Sequence, residues 1–345
     1  MSDVRVLMWG LGEIGTRAAR MLCDRPQVTF AGAISHQVGQ DLGSAVGGDE
    51  LGVAIAGSPE ELGAIDADIC LLATHQRVPD LVPQIEWLVN QGISVIASGE
   101  EMIFPWASHP ELAEQLDARA RATGTTVYGT GVNPGFVMDA LALLLTSCCA
   151  SVERVEVTRA SDFSPYGPGP LRSLGVGLTP EEFERGLGDG SVDGHIGFRE
   201  SIGTIARALG WEIDGYRERI SPIVSNVERR TAHISVAPGH VVGCDHWAEA
   251  LIDDEVVIHL SHPQQIAPAA ENARVGDFVR IHGDPPISMD ITPEIEGGQA
   301  TAARMVNAIG SVLAAPAGLV AMDQLTLPFV TPLGRPGTPL AGQTT

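Results

Sequence analysis

The residues of this sequence that can do chemistry fall in three places. Near the start, Gly10-Leu11-Gly12-Glu13-Ile14-Gly15 has the spacing G-x-G-x-x-G. In a strand-to-helix turn the first glycine makes the bend and the second lets a pyrophosphate approach the backbone. The third lets the helix pack on the strand. Glu13 and Ile14 fall inside the same expected cofactor contact. Further along stand two adjacent carboxylates, Glu100 and Glu101. A carboxylate can shuttle protons and can also stabilise a cationic intermediate. The third place is the second half of the chain, where Arg159, Tyr166, His195 and His262 are expected around a substrate. Tyr166 lies in the stiff segment Ser-Pro-Tyr-Gly-Pro-Gly, His195 in a Gly-His-Ile-Gly loop, and His262 ends an apolar strand before Pro263.

One absence limits the chemistry further. All 21 basic residues are arginine and none is lysine. That excludes Schiff-base catalysis, a resident pyridoxal phosphate linkage, a phosphate-binding P-loop and any reductase that protonates its substrate with lysine. Histidines 233, 240, 246, 259 and 282 show no metal-ligand spacing with carboxylates, and no metal is expected.

These groups need elements to hold them, and the first half supplies a regular alternation. Val4 to Trp9 reads as a strand, Thr16 to Asp24 as a helix and Val28 to Ser35 as the next strand, a βαβ unit of about thirty residues with the glycines at its first turn. Strands at Asp68–Ala73, Ser94–Ala97 and Thr126–Tyr128 alternate with helices at Pro79–Gln91 and Pro110–Thr123. The pattern is that of a Rossmann-type, doubly wound parallel sheet with its ligand at the carboxyl ends of the strands. Thr74 and His75, Glu100 and Glu101, and Asn133 and Pro134 therefore fall at the ligand edge, with Asn133 as cap and Pro134 as first residue of a following helix. That helix is expected as an apolar, buried one within Phe136–Val152.

From about Val152 the pattern changes. Strands at Val152–Thr158, Thr231–Val236, Val256–His262 and Gly276–Gly283 are read without helices between them, and Thr179–Arg185 and Gly197–Leu209 as helical insertions. This is an α+β domain with a mostly antiparallel sheet. The expected division is a dinucleotide-binding domain over 1–135, a substrate and dimerisation domain over 136–298, a C-terminal helix within about 299–330 that completes the first domain, and a tail over 331–345.

The cofactor edge favours NADP, with NAD possible. A free adenosine 2′-hydroxyl is usually held by an acid at the end of the second strand, about 20 residues past the glycines. Here the strand ends Ile34-Ser35-His36-Gln37, with no carboxylate before Asp41. Ser35 and His36 could meet a 2′-phosphate, and Arg77 is expected to stack on the adenine.

Gly129-Thr130-Gly131-Val132-Asn133-Pro134-Gly135-Phe136-Val137-Met138-Asp139 resembles a segment of the 2,4-diaminopentanoate dehydrogenases and the related native amine dehydrogenases, whose first domain is dihydrodipicolinate reductase-like. The resemblance continues in Ser98-Gly99-Glu100-Glu101-Met102, Phe104-Pro105-Trp106, Gly177 to Phe183, Gly194 to Ser201, Leu209-Gly210-Trp211, Gly297-Gly298, Ala300-Thr301-Ala302 and Val306-Asn307, and so spans nearly the whole chain. It implies a homodimer that catalyses reversible, NAD(P)H-dependent reductive amination of a carbonyl with ammonia. It also implies a catalytic glutamate in the Glu100–Glu101 segment. Similarity to the homoserine dehydrogenase pattern, where a lysine follows the same strand, favours Glu100, with Glu101 the alternative. Residues 161–173 depart from the diaminopentanoate pattern, lacking the basic character suited to a carboxylate. This moves the expected substrate from an amino acid toward small ketones and aldehydes.

Composition fits a small-molecule enzyme. Forty-three acidic residues against 21 basic ones give a net charge of −22, which repels phosphate backbones and anionic lipid. Five cysteines without C-x-x-C spacing suggest neither a disulfide framework nor a zinc site. No signal peptide or membrane span is read, and a cytoplasmic protein is expected. Two other readings compete: a different reductase on this scaffold, and a non-catalytic dinucleotide-binding protein.

Overall fold

The computed structural model describes residues 4–326, so the tail expected from Thr331 lies outside the described residues. The chain forms two compact units, one of residues up to Phe136 and from Glu296 onward, the other of Val137–Ile295.

The first unit opens with β1 (Val4–Trp9), α1 (Glu13–Cys23), β2 (Val28–Ile34), α2 (Leu42–Ala45), β3 (Ile55–Ala56), α3 (Pro59–Leu62), β4 (Ile69–Leu72) and α4 (Val78–Asn90). Next come β5 (Ser94–Ala97), a 3₁₀ turn (Glu100–Ile103), α5 (Pro110–Thr123) and β6 (Thr126–Gly129). The second unit contains α6 (Ala140–Thr146), β7 (Ser151–Asp162), α7 (Pro168–Ser173), α8 (Pro180–Asp189), α9 (Phe198–Leu209), β8 (Gly215–Val224), β9 (Arg229–Arg230) and β10 (Ser235–Val236). It ends with β11 (Val241–Ile252), β12 (Glu255–Gln265), β13 (Gly276–Asp284) and β14 (Ile287–Ile291). The chain then returns to the first unit as α10 (Gly297–Ala314) and β15 (Gly318–Val320).

The first unit is a seven-stranded sheet in the order β15-β6-β5-β4-β1-β2-β3, with every pairing parallel. Alternate residues of each strand enter two separate cores, which explains the continuous apolar runs. Val6 and Met8 of β1 pack with Ala19 and Leu22 of α1 and Met305 and Ile309 of α10. Leu7 and Trp9 pack on the other face with Leu81 and Ile85 of α4 and Leu116 of α5. Because β2 and β4 flank β1 on opposite sides, the strand order reverses at the glycine turn that follows β1.

The second unit is a six-stranded mixed sheet in the order β14-β13-β7-β12-β11-β8, antiparallel except for β12 against β7. One of its faces is apolar, with Val155, Val157, Ile258, Leu260 and Val279 buried. The other carries an open groove of about 610 Å³ lined by Arg154, Glu156, Thr158, Phe278 and Arg280, among others.

Four expectations are corrected. No helix begins at Pro134: residues 133–139 form turns, and the helix starts at Ala140, where the Asp139 carboxylate accepts from its N–H (2.6 Å). The apolar stretch to Val152 is helical only over Ala140–Thr146; a turn follows, and β7 begins at Ser151. Thr231–Val236 is a strand only at its end: residues 231–234 form the turn that joins β9 to β10. His262 does not end its strand, because β12 runs through Pro263 to Gln265, and Pro263 needs no N–H where β12 gives its ladder bonds to β7 at other positions.

Candidate active site

Backbone hydrogen bonds draw the ends of five strands to one edge of the first unit. Gly10 N–H donates to Ile34 O (2.9 Å), Ala73 N–H to Trp9 O (2.7 Å), Ser98 N–H to Leu72 O (3.0 Å) and Thr130 N–H to Ala97 O (2.9 Å). The predicted ligand segments thus stand side by side, with the glycine turn at the point of strand reversal.

Each glycine of the turn has a distinct steric reason. Gly10 has φ +93°, and a side chain there would run into the Ala73 carbonyl. A side chain at Gly15 would strike the Gly10 carbonyl, because α1 leaves β1 so closely. At Gly12 a Cβ would meet nothing within 4 Å. Gly12 also starts α1 without a side-chain cap, so the first-turn N–H groups, including those of Glu13 and Ile14, are left for an anion. This opening fits a dinucleotide's pyrophosphate. The Glu13 side chain points elsewhere, to Arg17 Nη2 (2.9 Å).

At the end of β2, Ser35 is buried and its Oγ has no hydrogen-bond partner, while His36 is exposed. The first carboxylate past the strand, Asp41, is committed to its own loop: it accepts from the N–H groups of Ser44 (3.2 Å), Leu51 (3.0 Å) and Val53 (3.0 Å). Gln37 donates its side-chain amide to Leu11 O (3.3 Å), tying the β2 end to the glycine turn. Past β4, Thr74 donates its hydroxyl to Gln84 (2.6 Å) and His75 is exposed. Arg77 does not reach toward the β2 side, as adenine stacking would need. It precedes α4 on the far side of β1, and its Nη1 donates to Glu101 Oε1 (3.1 Å).

The two adjacent glutamates are in different situations. Glu101 is buried, and its carboxylate accepts from Val78 N–H (2.8 Å) and Arg77, with His109 Nε2 at 3.0 Å. It therefore clamps the start of α4 and the entry to α5 to the 3₁₀ turn. Glu100, the first residue of that turn, is half-buried at the end of β5. The turn lies directly on β6, because Gly129 has no side chain to strike the Met102 carbonyl. The Asn133–Pro134 loop is anchored to α10, with Val132 N–H donating to Thr301 Oγ1 (3.1 Å) and Arg304 Nη2 to Gly135 O (3.3 Å).

In the second unit, three of the four predicted residues share one cluster. The His195 and His262 rings meet edge to face at 4.9 Å, and His195 also meets Phe198 at 4.8 Å. Tyr166 stacks on Phe163 (4.5 Å), whose ring lies 6.5 Å from that of His262. His195 Nε2 is buried with no hydrogen-bond partner, and His262 Nε2 lies 3.3 Å from Ser161 Oγ. Burial, then the neighbouring His246 and Arg159, hold His195 down at about 3. Burial, then His195 and Arg159, push His262 well below the ordinary imidazole value. Both rings are neutral at physiological pH. Arg159 departs from its expected role as a substrate contact. Its guanidinium donates to Asp277 (2.7 Å) and Ile295 O (2.6 Å) and anchors β7 to β13.

Sequence reasoning missed several members. Thr130, buried beside the end of β5 with an unpartnered Oγ1, carries no motif signal of its own. His246 has no metal-ligand spacing to mark it in the sequence, yet it stands directly opposite His262 in the β11–β12 hairpin. The signal for it was Asp253-Asp254, a two-residue turn with both φ positive, from which the register could be counted. Among the described residues no group of three or more His, Cys, Asp or Glu is placed to hold a metal, and no helix is long and apolar enough to cross a membrane.

The comparisons with known proteins agree with this geometry. The family model for the 2,4-diaminopentanoate dehydrogenase C-terminal domain matches residues 136–332. The chain is 37% identical to the 2,4-diaminopentanoate dehydrogenase of Acetoanaerobium sticklandii over 336 residues, 95% of each chain. It belongs to the 2,4-diaminopentanoate dehydrogenase family. It is also 26% identical to an amine dehydrogenase of Streptomyces virginiae, over 97% of this chain and 99% of that one. An amine dehydrogenase structure from Mycobacterium smegmatis superposes with a TM-score of 0.83 at 26% identity, covering 96% and 98% of the two chains. A looser likeness, TM-score 0.52 at 14% identity, to myo-inositol 2-dehydrogenase from Lactobacillus plantarum shows the shared fold alone. As a member of this family the chain is an oxidoreductase that acts on amines.

Proposed function

We propose that this protein is an NAD(P)H-dependent amine dehydrogenase that interconverts a small ketone or aldehyde plus ammonia with the corresponding amine, with Glu100 as proton shuttle. The observation that carries the assignment is the division between the two glutamates. Glu101 is committed to the α4 start and His109, whereas Glu100 stands at the ligand edge where β5 ends. Reductive amination requires ammonia to add to a carbonyl, water to leave and a hydride to reach the iminium carbon. The dinucleotide, when bound, supplies or accepts that hydride. Glu100 takes a proton from the attacking ammonia and gives it to the former carbonyl oxygen; a second proton, taken up from solvent through the same carboxyl, lets that oxygen leave as water, and the carboxylate left behind stabilises the cationic iminium. No lysine is available to do either.

The cofactor reading is NADP, with NAD as second choice. It rests on the buried, unpartnered Ser35 Oγ, the exposed His36 and the commitment of Asp41 elsewhere, which together leave no acid for a ribose 2′-hydroxyl. For the substrate, Tyr166, His195 and His262 are the proposed contacts. The neutral imidazoles and the engaged Arg159 favour a carbonyl compound without a carboxylate. The alternative, 2,4-diaminopentanoate itself, is favoured by the 37% identity to an enzyme of that name. The polar-lined sheet face with Arg154, Phe278 and Arg280 is proposed to pair with its copy in a homodimer.

NADPH oxidation with cyclohexanone or a short aldehyde, with and without ammonium, tests the reading. Ammonium-dependent turnover is expected. Turnover without ammonium would point to another reductase on this scaffold, and binding without turnover to a sensor. Oxidation of 2,4-diaminopentanoate in preference to simple amines would replace the substrate class. A monomer by sedimentation at micromolar concentration would remove the dimer.

A further inference from the structure

Behind the His195 loop lies a continuous chain of polar groups to which neither the sequence motifs nor the reaction assigns a role. His195 N–H donates to His246 Nδ1 at 2.9 Å. That nitrogen accepts and so carries no proton, and in the neutral ring the proton must sit on Nε2. His246 Nε2 lies 2.9 Å from Glu218 Oε1, so Nε2–H donates to the carboxylate. The second oxygen of Glu218 accepts from Tyr216 OH at 2.7 Å. The Arg199 guanidinium lies over the Tyr216 ring, 3.9 Å from its centre. His246 bonds to His195, and its bond to Glu218, which Tyr216 holds in place, fixes it in one tautomer.

The local backbone is shaped for this contact. Gly194 has φ +64°, and a Cβ there would lie 2.7 Å from His246 Nδ1, so only glycine lets the loop approach the imidazole. His246 is almost fully buried between β8 and β12, opposite Ile220 and His262, and its ring meets that of Phe198 at 4.8 Å. Hydrogen bonds from His246 and Tyr216 lower the Glu218 pKa, whereas burial and Glu218 raise that of Tyr216, so the carboxylate remains an acceptor and the phenol a donor. The product of this arrangement is a His195 ring whose Nε2 is buried and unpartnered. A buried polar atom without a partner is costly and is expected to meet a ligand.

We propose that Tyr216, Glu218 and His246 are positioning residues that fix the His195 loop so that His195 Nε2 meets the polar group of the substrate. The proposal rests on the reading of His195 as a substrate contact. His246 acts through the His195 backbone, and no proton passes along the chain during the reaction.

Three variants and one spectrum test it. His246→Phe fills the space and removes both bonds, whereas His246→Asn keeps an acceptor, Oδ1, where Nδ1 stands. His246→Phe is expected to raise KM for the carbonyl roughly tenfold or more, the order of one lost buried hydrogen bond, with NADPH affinity unchanged. His246→Asn is expected to restore most of that loss. His195→Ala separates the two readings. If it leaves KM unchanged, the substrate assignment fails. If it raises KM while His246→Phe does not, the relay alone fails, as it also does if His246→Asn is no better than His246→Phe. Nitrogen-15 spectra of the histidine-labelled parent protein need no variant to fold. They are expected to show His246 at neutral pH with its proton on Nε2, and a proton on Nδ1 would overturn the relay.

Discussion

Exchanging each of the two glutamates for glutamine in turn gives the sharpest test, because the two changes are expected to act on different quantities. Glu100→Gln keeps the size of the side chain and removes its basicity. Loss of one general acid–base group costs about 10²–10⁴-fold in turnover, or roughly 2.7–5.4 kcal/mol of barrier. Dinucleotide affinity should hold, since the pyrophosphate opening at Gly12 and the α1 start lies past another strand. Glu101→Gln acts on the fold instead. Its carboxylate now serves Val78 N–H, Arg77 and His109, and an amide offers one oxygen in place of two. Arg77 is about half exposed, so its share is small. The buried Val78 N–H and the His109 contact set the loss at about 1–3 kcal/mol, a fall in melting temperature of roughly 3–10 °C. The assays are ammonium-dependent NADPH oxidation, NADPH binding by fluorescence and thermal unfolding. Glu100→Gln should fold and bind NADPH but be inactive, and Glu101→Gln should be less stable but active below its transition. An inactive Glu101→Gln of parental stability beside an active Glu100→Gln would refute the assignment and move the shuttle one residue along.

Gly12→Val should fold normally, since no protein atom lies within 4 Å of the added Cβ, yet lose NADPH binding; retained affinity in a titration would contradict the pyrophosphate site. Ser35→Asp places an acid at the β2 end and should shift preference from NADPH toward NADH by tenfold or more, measured as the ratio of dissociation constants. Stability should also depend on His195 and His262, whose folded-state pKa values lie below the unfolded value near 6.5. Below that pH the unfolded chain binds protons that the folded one does not. Their contribution is therefore fully present above about pH 6.5 and falls as the pH drops, by up to about 1.4 kcal/mol per unit for each ring. Urea titrations from pH 7.5 to 4.5 should show this slope, and His195→Asn should lessen it.

The first unit was legible because its signals are local. Val4–Trp9, the glycine turn and Ser94–Ala97 each announce themselves within a few residues, and a sheet covered on both faces writes its strands as apolar runs. The end of that unit was less clear. β15 is three residues long and pairs with β6 from more than 190 positions away, so no local pattern marks it. The fate of Pro134 turned on a tertiary competition, in which the Val132 and Gly135 bonds to α10 hold the loop open until Asp139 can cap.

The second unit was harder to read because its site is assembled by register. Its strands β8 and β11, ten and twelve residues long, carry polar groups on alternate positions that look like solvated faces in isolation. Glu218 and His246 become partners only when β8 lies beside β11, and His246 meets His262 only through the hairpin at Asp253-Asp254. A one-residue slip would send every one of these side chains to the other face. The same dependence explains why spacing could nominate His195 and His262 but not say what each would do. Their neutrality comes from burial first, then from a neighbouring imidazole and Arg159, and Arg159 in turn is fixed by Asp277 on β13, more than a hundred residues away. A residue expected as a substrate contact thus anchors two strands and, after burial and the neighbouring imidazole, adds to what keeps each histidine neutral.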